Sequence, residues 1–301
     1  MVKSAVLFSA LSAVLVTVTS SALENRQGAT SIISASEVAK YKPYTYFAAI
    51  ASCEPEQTRP WKCEKCKARS NFNLTESGGN GKDVLYWFVG YDRSLSEVIV
   101  GYQGNSAYDI LDPFWDRSYG AAPLNTDLFP NLNSDIRTQR EFGEFHAKSA
   151  DVILKAVNKA LTRSGYKNVT VVGHSLGGAV ALISTVHLKL SLKNEFIRSV
   201  TYGMPRVGNQ AFADHVDTIG DHIRIVNKND ITPVLPPYGD YVHTNTELHI
   251  TDDMNWVKCE GQDNWKKECS RGYVPNIFFY GDKDQNEGPY DGVYMGCTRM
   301  S

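Results

Sequence analysis

Gly173-His174-Ser175-Leu176-Gly177 is the stretch whose residue types and spacing can do covalent chemistry. A serine hydroxyl attacks a carbonyl only when a neighbouring base, usually a histidine, takes its proton. The pattern gains meaning from its flanks. VTVVGHS reads as a buried strand and GGAVALISTVHLKL as the helix after it, so the glycines permit a turn tight enough to push Ser175 out at the strand end. The first N–H of that helix, on Leu176, points at the oxygen that becomes negative during acyl transfer. The implied chemistry is nucleophilic acyl transfer, and seven histidines compete for the part of base: His146, His174, His187, His215, His222, His243 and His249.

The elements that must position Ser175 follow from periodicity. VLYWFVGYD and EVIVGYQGN are β-branched and aromatic runs separated by a turn, which predicts two adjacent buried strands. IRSVTYGMP and HIRIVNKND predict two more. Phe142, Phe145, Ile153, Val157, Ala160 and Leu161 keep helical spacing, predicting one helix from about Ser134 to Ser164 with Gly165 as its stop. A further helix opens at Ser34, where Glu37 completes a capping box. Strands alternating with helices predict an α/β fold with a mostly parallel central sheet and helices on both faces. SAYDILDPFWDRSYGAAPLNTDLFPNL, interrupted by Pro113, Pro123 and Pro130, is expected to be a functional loop.

With 301 residues, 42% of them hydrophobic, the chain can bury one full core, so a single domain over 23–301 is expected. A formal charge of -2 gives no field for nucleic acid. Residues 1–22 place Lys3 before an apolar run, Ala5 to Val18, and then small residues, the pattern of a secretory signal removed near Ala22. The run is shorter than a membrane span, and no other segment is long enough to be one. Secretion makes the six cysteines candidates for disulfides. Cys63 and Cys66 have the spacing of half a zinc site, but no matching pair exists, so no metal is expected. The pairing expected is Cys63 with Cys66, Cys259 with Cys269 and Cys53 with Cys297, which the sequence alone leaves open. Asn73-Leu-Thr is the glycan acceptor expected to be used; Asn168-Val-Thr runs into a strand.

GHSLGG, the later YGMPRVGN and then VNKNDITPVLPP resemble the successive signatures of the secreted fungal class 3 lipases, an α/β-hydrolase family. The correspondence extends from YKPYTYFAAIASCEP to PYDGVYMGC. The resemblance implies hydrolysis of carboxylic esters, acylglycerols above all, by a monomer without cofactor. It implies an acyl-Ser175 intermediate, Asp230 as the residue that orients the base, and the chain order Ser, Asp, His. It places the first oxyanion donor in Gln103-Gly104-Asn105, where relatives carry Ser or Thr in place of Asn105. It makes 106–130 a lid whose Ile110, Leu111, Phe114 and Trp115 cover an acyl groove or meet an oil–water interface.

One position departs from the family. Its catalytic histidine lies in a final loop reading approximately D-H-x-G-P-Y, and this chain has Asp284-Gln-Asn-Glu-Gly-Pro-Tyr290. Aligned on Gly288-Pro-Tyr290, the histidine position holds Asn286, and no histidine follows His249. Asparagine is able to hydrogen-bond Asp230 and Ser175 but not to take up a proton near neutral pH. Two outcomes are expected to compete: a working hydrolase that recruits Glu287, Asp284 or His243 as base, or a silenced relative that keeps its groove and binds a lipid or ester.

Overall fold

The computed structural model describes residues 28–104, 120–237 and 240–297. The signal-like stretch 1–22, the oxyanion candidate Asn105 and the loop residues Ile110, Leu111, Phe114 and Trp115 lie outside the described residues.

The β-branched runs form the strands their alternation predicts: β1 Thr30–Ile32, β2 Phe72–Gly78, β3 Trp87–Asp92, β4 Glu97–Tyr102, β5 Asn168–His174, β6 Phe196–Tyr202, β7 His222–Asn227, β8 Glu247–Ile250 and β9 Trp256–Cys259. They lie side by side in the order β1-β9-β8-β7-β6-β5-β4-β3-β2. From β4 through β8 every pairing is parallel, and the two flanks are antiparallel. A smaller sheet joins Tyr241–Val242, Gly208–Asn209, Arg137–Gln139 and Ala121–Pro123.

Buried parallel strands need cover on both faces. Five helices of eight or more residues are described: α1 Lys42–Ala51, α2 Arg140–Ala147, α3 Ala150–Ser164, α4 Leu176–Ser191 and α5 Gln210–Ile219. Alternate side chains divide between two cores. Ile99, Val172, Val200 and Ile225 pack with Phe47 of α1, whereas Val98, Val100, Val169 and Val171 pack with Phe142, Ile153, Val157 and Ala179 of α2 to α4. Each such aliphatic side chain contributes about 1.5–3 kcal/mol by leaving water.

The helix predicted from Ser134 to Ser164 is two helices. Arg137–Gln139 is drawn out as a strand on Ala121–Pro123, and the Gln139 side chain then accepts from Phe142 N to start α2. The chain turns at Lys148-Ser149, so that α2 lies on α4 and α3 on β3. Gly165 does end α3, in a left-handed conformation at φ 72° with its N–H donating to Leu161 O. Ser34 caps its short helix by accepting from Glu37 N at 3.2 Å.

The cysteines are joined as Cys53–Cys297, Cys63–Cys66 and Cys259–Cys269. Among the described residues, the groups of three metal-capable side chains are Cys53, Cys63 and Cys297, and Glu247, Cys259 and Cys269, in which every sulfur is already in a disulfide. Asn73 sits within the edge strand β2, half-buried, with its Nδ2 donating to Asn71 O. Among the described residues no helix is long and apolar enough to cross a membrane.

Candidate active site

Three neighbouring parallel strands deliver the site, each from its C-terminal end, where open α/β sheets place ligands. β5 ends at His174, and Ser175 follows at φ 54°, ψ -125°, with its N–H donating to Tyr202 O at 2.8 Å. This is a non-glycine residue in a sparsely populated region, held there because α4 begins at once. Close approach makes the elbow possible. A Cβ on Gly173 would sit 2.2 Å from Gly177 O, and one on Gly177 would sit 2.5 Å from Gln103 O. Ser175 is fully buried, and its Oγ has no hydrogen-bond partner among the described residues. Leu176 opens α4, so its N–H is one of the helix-end donors that no carbonyl of the helix can reach.

β7 ends at Asn227, and the next turn brings Asp230 beneath the same point, fully buried. Its Oδ1 accepts from Thr232 N at 2.9 Å, and its Oδ2 accepts from Asn286 Nδ2 at 2.6 Å. Burial penalises the charged carboxylate and pushes its pKa up to about 7, against the pull of the Asn286 and Thr232 donors.

Asn286 arrives on the turn Lys283–Glu287 and is also fully buried. The Nδ2 hydrogens go to Asp230 Oδ2 and to Gly203 O at 3.0 Å, which fixes the orientation of the amide. Its Oδ1 has no partner among the described residues and does not bond Ser175 Oγ, although the sequence allows both contacts. The main-chain oxygen of Asn286 is held twice, by His174 Nε2 at 2.8 Å and Tyr290 Oη at 3.1 Å. Gly203, at the end of β6, carries φ 52°, and a Cβ there would lie 2.3 Å from Asn286 Nδ2 and 3.0 Å from Asp230 Oδ2. Only glycine leaves room for the pair.

Gly203, His174 and Tyr290 are therefore parts of the site that sequence reasoning missed. YGMP signals a strand end, but nothing local in it announces contacts with residues more than eighty positions later.

The proposed substitutes for the base lie elsewhere. His243 is buried, with its Nε2 bonded to Pro233 O, and burial first, then the nearby Arg224 guanidinium, drives its pKa well below the usual value. His249 is bonded through both ring nitrogens, to Glu268 O and Lys228 O. His174 bonds Asn286 O, and burial takes it down to about 4. Asp284 is exposed, its N–H donating to Asp282 Oδ1, and Glu287 is half-buried near Lys65. Among the described residues, none of these groups hydrogen-bonds Ser175 Oγ.

Residues 105–239 match the family model Lipase (class 3). Secreted mono- and diacylglycerol lipase 3 of Gibberella zeae is 36% identical over 232 residues, 74% of this chain and 70% of that protein. Secreted mono- and diacylglycerol lipase MDL2 of Malassezia globosa is 35% identical over 199 residues, 61% of this chain and 66% of that protein. Among solved structures, the native Rhizomucor miehei lipase propeptide complex aligns with TM-score 0.77 at 24% identity, over 89% of this chain and 85% of that one. Lip2 lipase of Yarrowia lipolytica aligns with TM-score 0.71 at 26% identity, over 82% and 91%. The shared architecture is the α/β-hydrolase fold.

Proposed function

The chain belongs to the class 3 lipase family, and from that premise we propose a secreted ester hydrolase by descent in which Ser175 has lost its proton acceptor, leaving a protein that binds acylglycerol-like esters and turns them over poorly. The observation that carries this reading is the 2.6 Å bond from Asn286 Nδ2 to Asp230 Oδ2, at the position where the family motif has histidine.

In the family's reaction, Ser175 Oγ would attack the ester carbonyl carbon as its proton passes to the base. The tetrahedral oxyanion would be held by Leu176 N–H, the base would return the proton to the leaving alcohol, and water would then release the acyl group. Asn286 can fill the volume and hold the carboxyl group. It cannot take the proton, because its amide nitrogen has no basic lone pair and both of its hydrogens are committed. Asp230, raised to about 7, is basic enough near neutrality, but Asn286 occupies its Oδ2 and it has no bond to Ser175. In a well-measured serine protease, loss of the histidine costs on the order of 10⁶ in turnover and leaves roughly 10³–10⁴ over water.

Secretion is supported by the N-terminal charge and apolar pattern and by the names of the relatives, several of which are secreted mono- and diacylglycerol lipases. The same relatives support an acylglycerol ligand. By the family resemblance 106–130 would serve as a lid, and of its described residues Leu124 and Phe129 are packed in the core.

Hydrolysis of a short chromogenic ester by wild type, Ser175→Ala and Asn286→His tests the proposal. Wild type is expected within about tenfold of Ser175→Ala, and Asn286→His is expected to gain roughly 10²–10⁴-fold, all of it lost again in the double variant. Wild-type turnover orders of magnitude above Ser175→Ala would mean that another group serves as base. Failure of both proteins to bind a non-hydrolysable monoacylglycerol ether would remove the ligand half of the proposal.

A further inference from the structure

The C-terminal strap that holds the Asn286 loop is closed by a disulfide lying against a second disulfide. Met295 N–H donates to Glu287 O, and Tyr290 Oη donates to Asn286 O. Lys65, inside the Cys63–Cys66 loop, donates from Nζ to Tyr294 O at 2.6 Å and to Gly296 O. Cys53–Cys297 then ties the strap to the end of α1. The Sγ atoms of Cys53, Cys63 and Cys297 all lie within 4.8 Å of one another, so each disulfide has a sulfur of the other close by. Exposure separates the sulfurs: Cys53, Cys63 and Cys66 are buried, and Cys297 is partly open to solvent.

We propose that Cys297 is a site of S-thiolation by small extracellular thiols of the glutathione class, and that the two adjacent disulfides form an exchange relay that releases the strap. A thiolate attacks Cys297 Sγ, the Cys53–Cys297 bond breaks, and the electron pair stays on Cys53 as thiolate. Cys53 then attacks Cys63 Sγ, forming Cys53–Cys63 and leaving Cys66 as thiolate, which takes a proton from water. One external thiol is consumed, and the number of disulfide bonds, counting the mixed one on Cys297, stays at two, because each exchange breaks one bond for the one it forms. No further oxidant or reductant enters: one thiol becomes bound and one protein thiol, Cys66, appears. The Lys65 ammonium, bound to the carbonyl of the residue before Cys297, favours approach of the anionic attacker. Loss of the tether frees the chain that fixes Asn286 by way of Tyr290 and Met295.

Native protein is incubated with reduced glutathione without denaturant, quenched in acid, alkylated and mapped by mass spectrometry. The expected product carries glutathione on Cys297, an alkyl group on Cys66 and a Cys53–Cys63 link, forming about tenfold faster per pH unit below the thiol pKa near 8.5. Hydrogen exchange at the Met295 amide is expected to rise at least about tenfold in that product. Glutathione on Cys297 with Cys53 alkylated and Cys63–Cys66 intact would overturn the relay, and so would reaction only at urea concentrations that unfold the protein. Cys297→Ser gives a second measurement without added thiol. It leaves Cys53 as a thiol beside Cys63, so a mixture of Cys63–Cys66 and Cys53–Cys63 is expected, and recovery of Cys63–Cys66 alone would overturn the proposal.

Discussion

Asn286 and Asp230 share one hydrogen bond, and its strength depends on whether Asp230 carries a proton. In the folded protein burial holds Asp230 up to about 7, well above the ordinary carboxylate value near 3.9 that it has when unfolded. The folded state therefore keeps this proton across a pH range where the unfolded state has lost it. Its contribution to stability is present below about pH 4 and declines as pH rises towards 7. Asp230→Asn removes the titration, so the stability difference between wild type and variant, read from urea unfolding at pH 5 and pH 8, is expected to shift against wild type at the higher pH. Ser175 and its elbow were legible from G-x-S-x-G with its flanking strand and helix. Asn286 was legible only by alignment on Gly288-Pro-Tyr290. The grip of His174 on Asn286 O spans 112 positions, and no local pattern encodes it.

The break between α2 and α3 shows what periodicity conceals. Phe142, His146, Ile153, Val157 and Ala160 keep a spacing of three, four or seven residues straight through Lys148-Ser149, so the apolar stripe looks unbroken although the axis changes. Tertiary pairing decides where α2 begins, because Arg137–Gln139 is claimed by the small sheet, and the separate packing of α2 on α4 and α3 on β3 goes with the turn at Lys148-Ser149. The strands, by contrast, were readable because a buried parallel strand is a continuous β-branched run. α2 also carries a cost visible only in three dimensions. His146 packs edge-on against His187 of α4, with ring centroids 5.2 Å apart, and neither of its ring nitrogens has a partner among the described residues. Burial first, then the His187 ring, lowers His146 to about 3. The unfolded chain takes up this proton below about pH 6.5 and the folded chain does not, so stability falls as pH drops from 6.5 towards 3. His146→Leu should lose less melting temperature than wild type between pH 7 and pH 5, measured by calorimetry.

At the scale of the molecule, two disulfides of very different span meet at one place. Cys53–Cys297 closes 244 positions and Cys63–Cys66 closes 3. If a cross-link acts mainly on the unfolded chain, the first contributes about 5 kcal/mol and the second about 2 kcal/mol. Replacing Cys53 and Cys297 by alanine is therefore expected to lower the denaturation midpoint clearly more than replacing Cys63 and Cys66, and equal losses would point to native packing around the sulfurs instead. Cysteine number and a signal-like N-terminal pattern make disulfides legible in sequence, but not that two of them touch. The sheet order has its own consequence for how the protein is made. β1 pairs with β9, Thr30 opposite Cys259, so the first strand to emerge waits for the last before its edge is covered. Throughout synthesis that side of the sheet, β8 and β9 included, has no finished border. An unpaired border is a template for wrong partners, so the growing chain stays open to mispairing on that side until β9 arrives.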